Sequence, residues 1–257
     1  MKDDIINQDE RYKRKSKINK EIDCLKSIVV NITKSDKYNG YPNRDIYMSP
    51  WTALNIRLRL AELRFRGNLI ISGIKDPCNH PEIFRILKTL SDKSEFFYPL
   101  YRIELFTNGI PEIDYREIYN MGIKIFITVN DTKDIEYLKY KFSDIPVTFK
   151  NRTIKPDSEY SINKNLKESC NYPFFKMVID TDGSYLLCTK DIEDDIKSNK
   201  HNIKNESIEQ YFCNEIFDIK KDLLKNGREK LIPCRYCKYN TTLGKEEVEW
   251  FKSKYKI

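Results

Sequence analysis

Between residues 28 and 149, short β-branched runs alternate with helix-patterned segments through brief polar connections, and this alternation restricts the fold more than any other feature of the chain. IVVNIT at 28–33, NLIIS at 68–72, YRIELF at 101–106, KIFITV at 124–129 and IPVTF at 145–149 read as strands. The segment SPWTALNIRLRLAELRFRG reads as a helix. Ser49 is placed to cap it, Pro50 sits at its first position, Gly67 follows its last turn, and Leu54, Ile56, Leu58, Leu60 and Leu63 form its apolar stripe. Residues 81–90, 111–121 and 132–142 supply the other helices. Strands joined through helices imply right-handed crossovers and a parallel sheet with helices outside. Five such units fall short of the eight that close a barrel, so the expected fold class is α/β, a partial (β/α) barrel or an open sheet over residues 24–150.

The pattern changes after residue 150. A polar stretch leads into a smaller cysteine-bearing α+β module expected at 165–240, and the ends, 1–23 and 241–257, are expected to be helical or flexible. Within the module, FFKMVIDTDGSYLLC presents two apolar arms around Asp182 and Gly183, a strong hairpin signal. Ser207 with Gln210 three residues on forms a capping box for a helix to about Asn226, with Gly227 as its stop.

The 257 residues carry 46 Lys and Arg against 39 Asp and Glu, a net charge of +7. The basic run from Arg11 to Lys20 is flanked by acids and reads as a solvated lead-in, so nucleic acid is not expected as a partner. The apolar stretches are far shorter than the roughly 18 to 20 residues that cross a bilayer, and the charged N-terminus does not read as a secretory signal. A cytoplasmic protein without membrane contact is expected. In that reducing setting seven cysteines, an odd number, point to metal or structural roles rather than a disulfide framework.

Cys234 and Cys237 form a CxxC behind Pro233, and Cys170 and Cys188 frame the hairpin, with Tyr172-Pro173 suited to the bend that brings Cys170 near. Four thiolates from one small module suit either a four-cysteine zinc site or a four-iron cluster. Cys24, Cys78 and Cys213 read as small core residues, His80 as structural and His201 as solvated. Two histidines so placed give no serine or cysteine nucleophile a base, and no glycine-rich phosphate loop occurs, which counts against hydrolase and nucleotide-binding readings.

Cys170, twelve residues, Gly183, four residues, Cys188, then a distal Pro233-Cys234-Arg235-Tyr236-Cys237 resembles the C-terminal signature of the radical SAM superfamily with a SPASM or twitch-type module. The resemblance implies one auxiliary [4Fe-4S] cluster held by Cys170, Cys188, Cys234 and Cys237. The 18-residue spacing of the first pair favours iron–sulfur over the tight paired knuckles usual in four-cysteine zinc ribbons. Ser72-Gly73-Ile74-Lys75-Asp76-Pro77 resembles the strand-end motif whose backbone and acid contact the amino group of S-adenosylmethionine in that family, with Asp76 in place of Glu and Lys75 in place of Gly. Thr107-Asn108-Gly109 is similar to the family's TNG turn, and Thr128-Val129-Asn130 ends the next strand where the cofactor cleft is lined. The cofactor-binding set so implied is Gly73, Asp76, Thr107, Asn108, Gly109 and Asn130, with S-adenosylmethionine as its ligand.

The family's CxxxCxxC motif belongs in the loop from Lys34 to Met48, which contains no cysteine; Ser35, Asn39 and Pro42 stand about where the thiolates would be. The expected function is therefore an iron–sulfur-binding, degenerate relative that does not cleave S-adenosylmethionine by itself. It would act as a partner subunit of a full-length radical SAM enzyme, a binder of a peptide or small-molecule substrate, or an electron relay. Two alternatives stay open: an active radical SAM enzyme whose first cluster is ligated unconventionally through Cys24, Cys78 or a partner, and a zinc-stapled structural protein.

Overall fold

In chain order the strands are β1 (Ser27–Asp36), β2 (Arg44–Tyr47), β3 (Asn68–Gly73), β4 (Arg102–Thr107), β5 (Lys124–Val129), β6 (Val147–Asn151), β7 (Lys176–Ile179) and β8 (Tyr185–Leu186). They come from a computed structural model that describes residues 21–36, 44–93, 99–129, 134–151, 166–189, 201–235, 237 and 242–257. All eight lie in one sheet of order β6-β5-β4-β3-β1-β7-β8, with β2 added to β1 off that path. From β6 to β7 every pairing is parallel, and β2 and β8 are antiparallel hairpin strands. Helices α1 (Pro50–Leu63), α2 (Ile83–Ser91), α3 (Tyr115–Asn120) and α4 (Ile135–Lys141) make the crossovers. This is the partial (β/α) barrel that the alternation implies.

Local chemistry accounts for the elements. The Ser49 hydroxyl accepts from the backbone N–H of Thr52, and Pro50 begins α1 where a missing N–H costs nothing. The helix stops at Arg64, which takes a left-handed conformation (φ 52°), three residues before the expected stop at Gly67. Period-two alternation divides the sheet into two faces. Ile28, Val30 and Ile32, with Leu69, Ile71, Ile103, Leu105, Ile125 and Ile127, pack under the helices in the main core. Val29, Val178 and Leu186 form a smaller cluster with Ile70 and Tyr172 on the opposite face.

The span expected as a separate module supplies a strand of the main sheet. β7 pairs with β1 from Ser27↔Lys176 to Val30↔Ile179. Periodicity reports the strand but not this partner, about 150 residues away in the chain. The expected hairpin forms between β7 and β8, with Gly183 at φ +90° in its turn. The expected 207–226 helix is broken into α6 (Ile208–Gln210), a π-helical turn at Tyr211–Glu215 and α7 (Phe217–Asn226), followed by α8 (Ile232–Arg235) and α9 (Lys245–Tyr255). The bend at Tyr172–Phe175 is one turn of helix, α5; the label orders it between α4 and α6.

A second core of Phe174, Leu223, Leu224, Cys234, Phe251 and Tyr255 gathers α5, α7, α8 and α9. Beside it the fully buried Lys220 donates to the Glu21 carboxylate (3.0 Å) and to the Phe212 carbonyl (2.5 Å), with its ammonium 3.5 Å from the Phe212 ring centroid. Tyr255 donates to the same Glu21 oxygen at 2.8 Å. No helix among the described residues is long and apolar enough to cross a membrane.

Candidate functional site

Parallel α/β sheets present their binding residues at the carboxyl ends of the strands. At the end of β3 a Cβ on Gly73 would lie 2.1 Å from Thr33 Oγ1 and 2.7 Å from the Thr33 carbonyl oxygen, so only glycine lets β1 and β3 close there. Thr33 Oγ1 then donates to the Lys75 carbonyl at 2.7 Å, and Ile74 N donates to the Thr33 carbonyl at 3.0 Å. Asp76 follows and caps the 3-10 turn Pro77–Asn79 by accepting from Cys78 N at 2.8 Å. Its carboxylate also accepts from Thr107 Oγ1, 2.9 Å from each oxygen, and from Asn108 N at 2.5 Å. Gly109 N donates to Thr107 Oγ1 at 3.1 Å.

Gly73, Asp76, Thr107, Asn108 and Gly109 therefore form one contiguous cluster at the ends of β3 and β4. Both Asp76 oxygens are engaged in holding the two strand ends together. Asn130 lies outside the described residues. His80 is structural, as expected: it is buried, its Nδ1 accepts from Glu82 N (2.9 Å), and its Nε2 donates to the Met48 carbonyl (2.8 Å). Burial holds its pKa below the ordinary histidine value.

The sheet face turned away from the helices carries further polar chemistry. Lys34, near the end of β1, donates to Asp180 Oδ2 at 2.6 Å just past β7, where Asp180 is 2% exposed. Asn31 Nδ2, Asp180 Oδ1 and Thr181 Oγ1 are buried without hydrogen-bond partners among the described residues. Across β4 and β5, Phe106 and Phe126 stack at 4.7 Å, and Lys150 from β6 lies 4.9 Å from the Phe106 ring centroid and 4.2 Å from that of Phe126. None of these groups was singled out from the sequence. The signal available was strict alternation, which sets Asn31 opposite Val30 and Phe106 opposite Leu105.

The cysteines gather at the other edge. Cys170 makes an isolated antiparallel bridge with Thr242, backed by Leu243 N donating to the Ser169 carbonyl at 3.1 Å. Cys188 follows β8, Cys234 lies in α8, and Cys237 N donates to the Cys234 carbonyl at 3.3 Å. Burial first, and then the charges of Cys188, Cys170 and Cys237, push the Cys234 thiol up to about 12, against the pull of the Arg228 guanidinium. The other three sulfurs thus all bear on Cys234 through their charge. The four cysteines, from three stretches of chain and in no disulfide, fit a centre that neutralises four thiolates. Arg228, fully buried, is a cation whose charge bears on Cys234.

The remaining cysteines do not rebuild the missing loop. Cys24 precedes β1 while the loop follows it, so a ten-residue strand, about 30 Å at its ordinary rise, lies between them. Cys78 is buried, and burial together with the nearby Asp76 pushes its thiol up to about 12. Cys213 is buried in the π-helical turn, as expected of a core residue. His201 departs from its expected solvated state and lies between Glu206 and Glu215.

No family model matches the sequence, and no curated protein matches it. Among solved structures, BtrN in complex with AdoMet and 2-DOIA aligns with a TM-score of 0.66 at 16% identity, over 87% of this chain and 96% of that one. BtrN in an open conformation aligns with a TM-score of 0.63 at 18% identity over the same shares. The chain has the BtrN fold. At such identities the likeness concerns the path of the backbone, so the chemistry of the site is argued from the side chains above.

Proposed function

We propose that this chain is an iron–sulfur protein of the radical SAM type that holds one auxiliary [4Fe-4S] cluster and does not initiate cleavage of S-adenosylmethionine by itself. The observation that carries the proposal is that Cys170, Cys188 and Cys237 all act on the buried Cys234 through their charge, in a chain whose loop between β1 and β2 has no cysteine. The BtrN likeness supports the reading, because BtrN carries AdoMet and 2-DOIA on the same fold.

Cys170, Cys188, Cys234 and Cys237 would hold the cluster, which when bound supplies one-electron storage and transfer. Arg228 favours the thiolate form of Cys234, the second core keeps Cys234 away from water, and Cys170 is buried as well. S-adenosylmethionine would lie at the strand ends. There Gly73 gives close backbone approach, and Asp76 with Thr107 fixes the Asn108–Gly109 turn, so that the acid acts chiefly by shaping the cleft. Electron relay to a full-length partner, or presentation of a small-molecule or peptide substrate to it in the cytoplasm, are the roles this leaves.

Iron, sulfide and zinc are to be measured per chain after anaerobic purification, for wild type and for the Cys234→Ala, Cys237→Ala double variant. A single four-iron cluster lost in the double variant is expected. Two clusters with one surviving would mean an active enzyme with an unconventional first cluster, and zinc alone would reduce the module to a staple.

A further inference from the structure

His201, Glu206 and Glu215 stand apart from the cysteines and from the strand-end cluster. The chain at 201–203 runs beside the hairpin turn in an isolated antiparallel bridge, Ser184↔Asn202: Tyr185 N donates to the His201 carbonyl (3.0 Å), and Ile203 N donates to the Gly183 carbonyl (2.9 Å). Glu215 closes the π-helical turn, and Tyr211 in that turn packs 5.7 Å from the His201 ring. Backbone on both sides thus fixes the three side chains. His201 Nδ1 is 2.8 Å from Glu206 Oε2, His201 Nε2 is 3.6 Å from Glu215 Oε2, and the candidate ligand atoms all lie within 4.8 Å of one another.

A neutral imidazole has one N–H, so it satisfies one of these carboxylates and turns a lone pair toward the other. Two carboxylates this close also repel unless a cation lies between them. Glu206, with its side chain only 10% exposed, cannot relieve that repulsion by turning into water. A second proton on the ring would supply one positive charge against two negative ones, whereas a divalent metal cancels both and uses the ring lone pair as a ligand.

We propose that His201, Glu206 and Glu215 bind a divalent first-row metal ion. One imidazole nitrogen and two carboxylate oxygens form a hard to borderline set that suits Mn2+ or Zn2+ and disfavours soft ions. The partly exposed Glu215 leaves the other coordination positions to water. The metal would tie the segment beside the hairpin to the π-helical turn, and so brace the module that carries the cysteines.

Mn2+ is the probe, because it avoids thiolates and leaves the cysteine site out of the measurement. Anaerobically purified full-length chain is titrated with Mn2+ and the free ion is followed by electron paramagnetic resonance. Wild type is expected to bind a single Mn2+ per chain. Glu215→Gln and His201→Gln should each weaken binding by about tenfold or more, while the Cys234→Ala, Cys237→Ala variant should bind as wild type does. Glu215→Gln preserves shape at a partly exposed position, and an unchanged metal-free melting temperature would show that it folds. Absence of binding by wild type, or equal binding by wild type and Glu215→Gln, would overturn the proposal.

Discussion

At the level of single residues, the strand-end cluster shows which contacts a sequence discloses. Asp76 and the Thr107-Asn108-Gly109 turn were legible because each lies in a short contiguous run that resembles a family motif. That the Asp76 carboxylate would serve both turns was not legible, since it depends on β3 and β4 being neighbours. The Lys34–Asp180 pair was wholly hidden, because its partners meet only through β1 and β7. His80 gives a testable consequence at this scale. Its Nδ1 accepts a backbone N–H, so protonation there would set two donors against each other. The folded pKa is lowered while the unfolded one stays near 6.5, so on acidification the unfolded chain takes up the proton first. The stability this group contributes is present above about pH 6.5 and is lost as pH falls below that value. Denaturant midpoints between about pH 5 and 7 should therefore fall less steeply in His80→Gln than in wild type. Equal slopes would mean that the buried imidazole is not the titrating group.

Among elements, the contest is between local propensity and tertiary packing. The run from Ser207 to Gly227 carries correct start and stop signals, yet it contains a π-helical turn, a deviation that tends to occur where side chains must be re-aimed. Here the turn accompanies the placement of Lys220, whose ammonium reaches back to the Phe212 carbonyl inside that turn and onward to Glu21. Burial lowers the Lys220 pKa, and the Glu21 carboxylate opposes the shift. No sequence pattern announces a lysine in a core: helical spacing sets Lys220 on the face of Leu223 and Leu224, but its charge argues for solvent. Removing one charge leaves the other buried and unpaired, so Lys220→Met should cost about 3–5 kcal/mol. Adding Glu21→Gln should recover a substantial part of that cost, because the uncompensated charge is gone. A double-mutant cycle from urea melts measures the coupling, and a cost for Lys220→Met below about 1 kcal/mol would mean that the pair does not hold α7 against the start of the chain.

For the molecule as a whole, β7 decides whether the chain is one folding unit or two. Read along the sequence, residues 24–150 and 165–240 divide at a polar stretch, and the cysteines make the second part look self-contained. In three dimensions β7 lies against β1 in the body of the sheet, and β7 is followed in the sheet order by the two-residue strand β8. Without β7, β1 would present an unpaired edge, which chains generally avoid. The two spans should therefore unfold together, and the chain carries its own reporters: its two tryptophans are Trp51 in α1 and Trp250 in α9. Both are substantially exposed, at 65% and 46%, so Trp51→Phe and Trp250→Phe should disturb the core little. Each variant keeps one fluorophore, in the barrel half or the C-terminal half. Fluorescence melts of the two, at equal metal loading, should share one midpoint and one slope, as a cooperative transition requires. Two separated transitions would show that the cysteine-bearing half folds on its own terms and that the β1–β7 pairing adds little to the stability of either half.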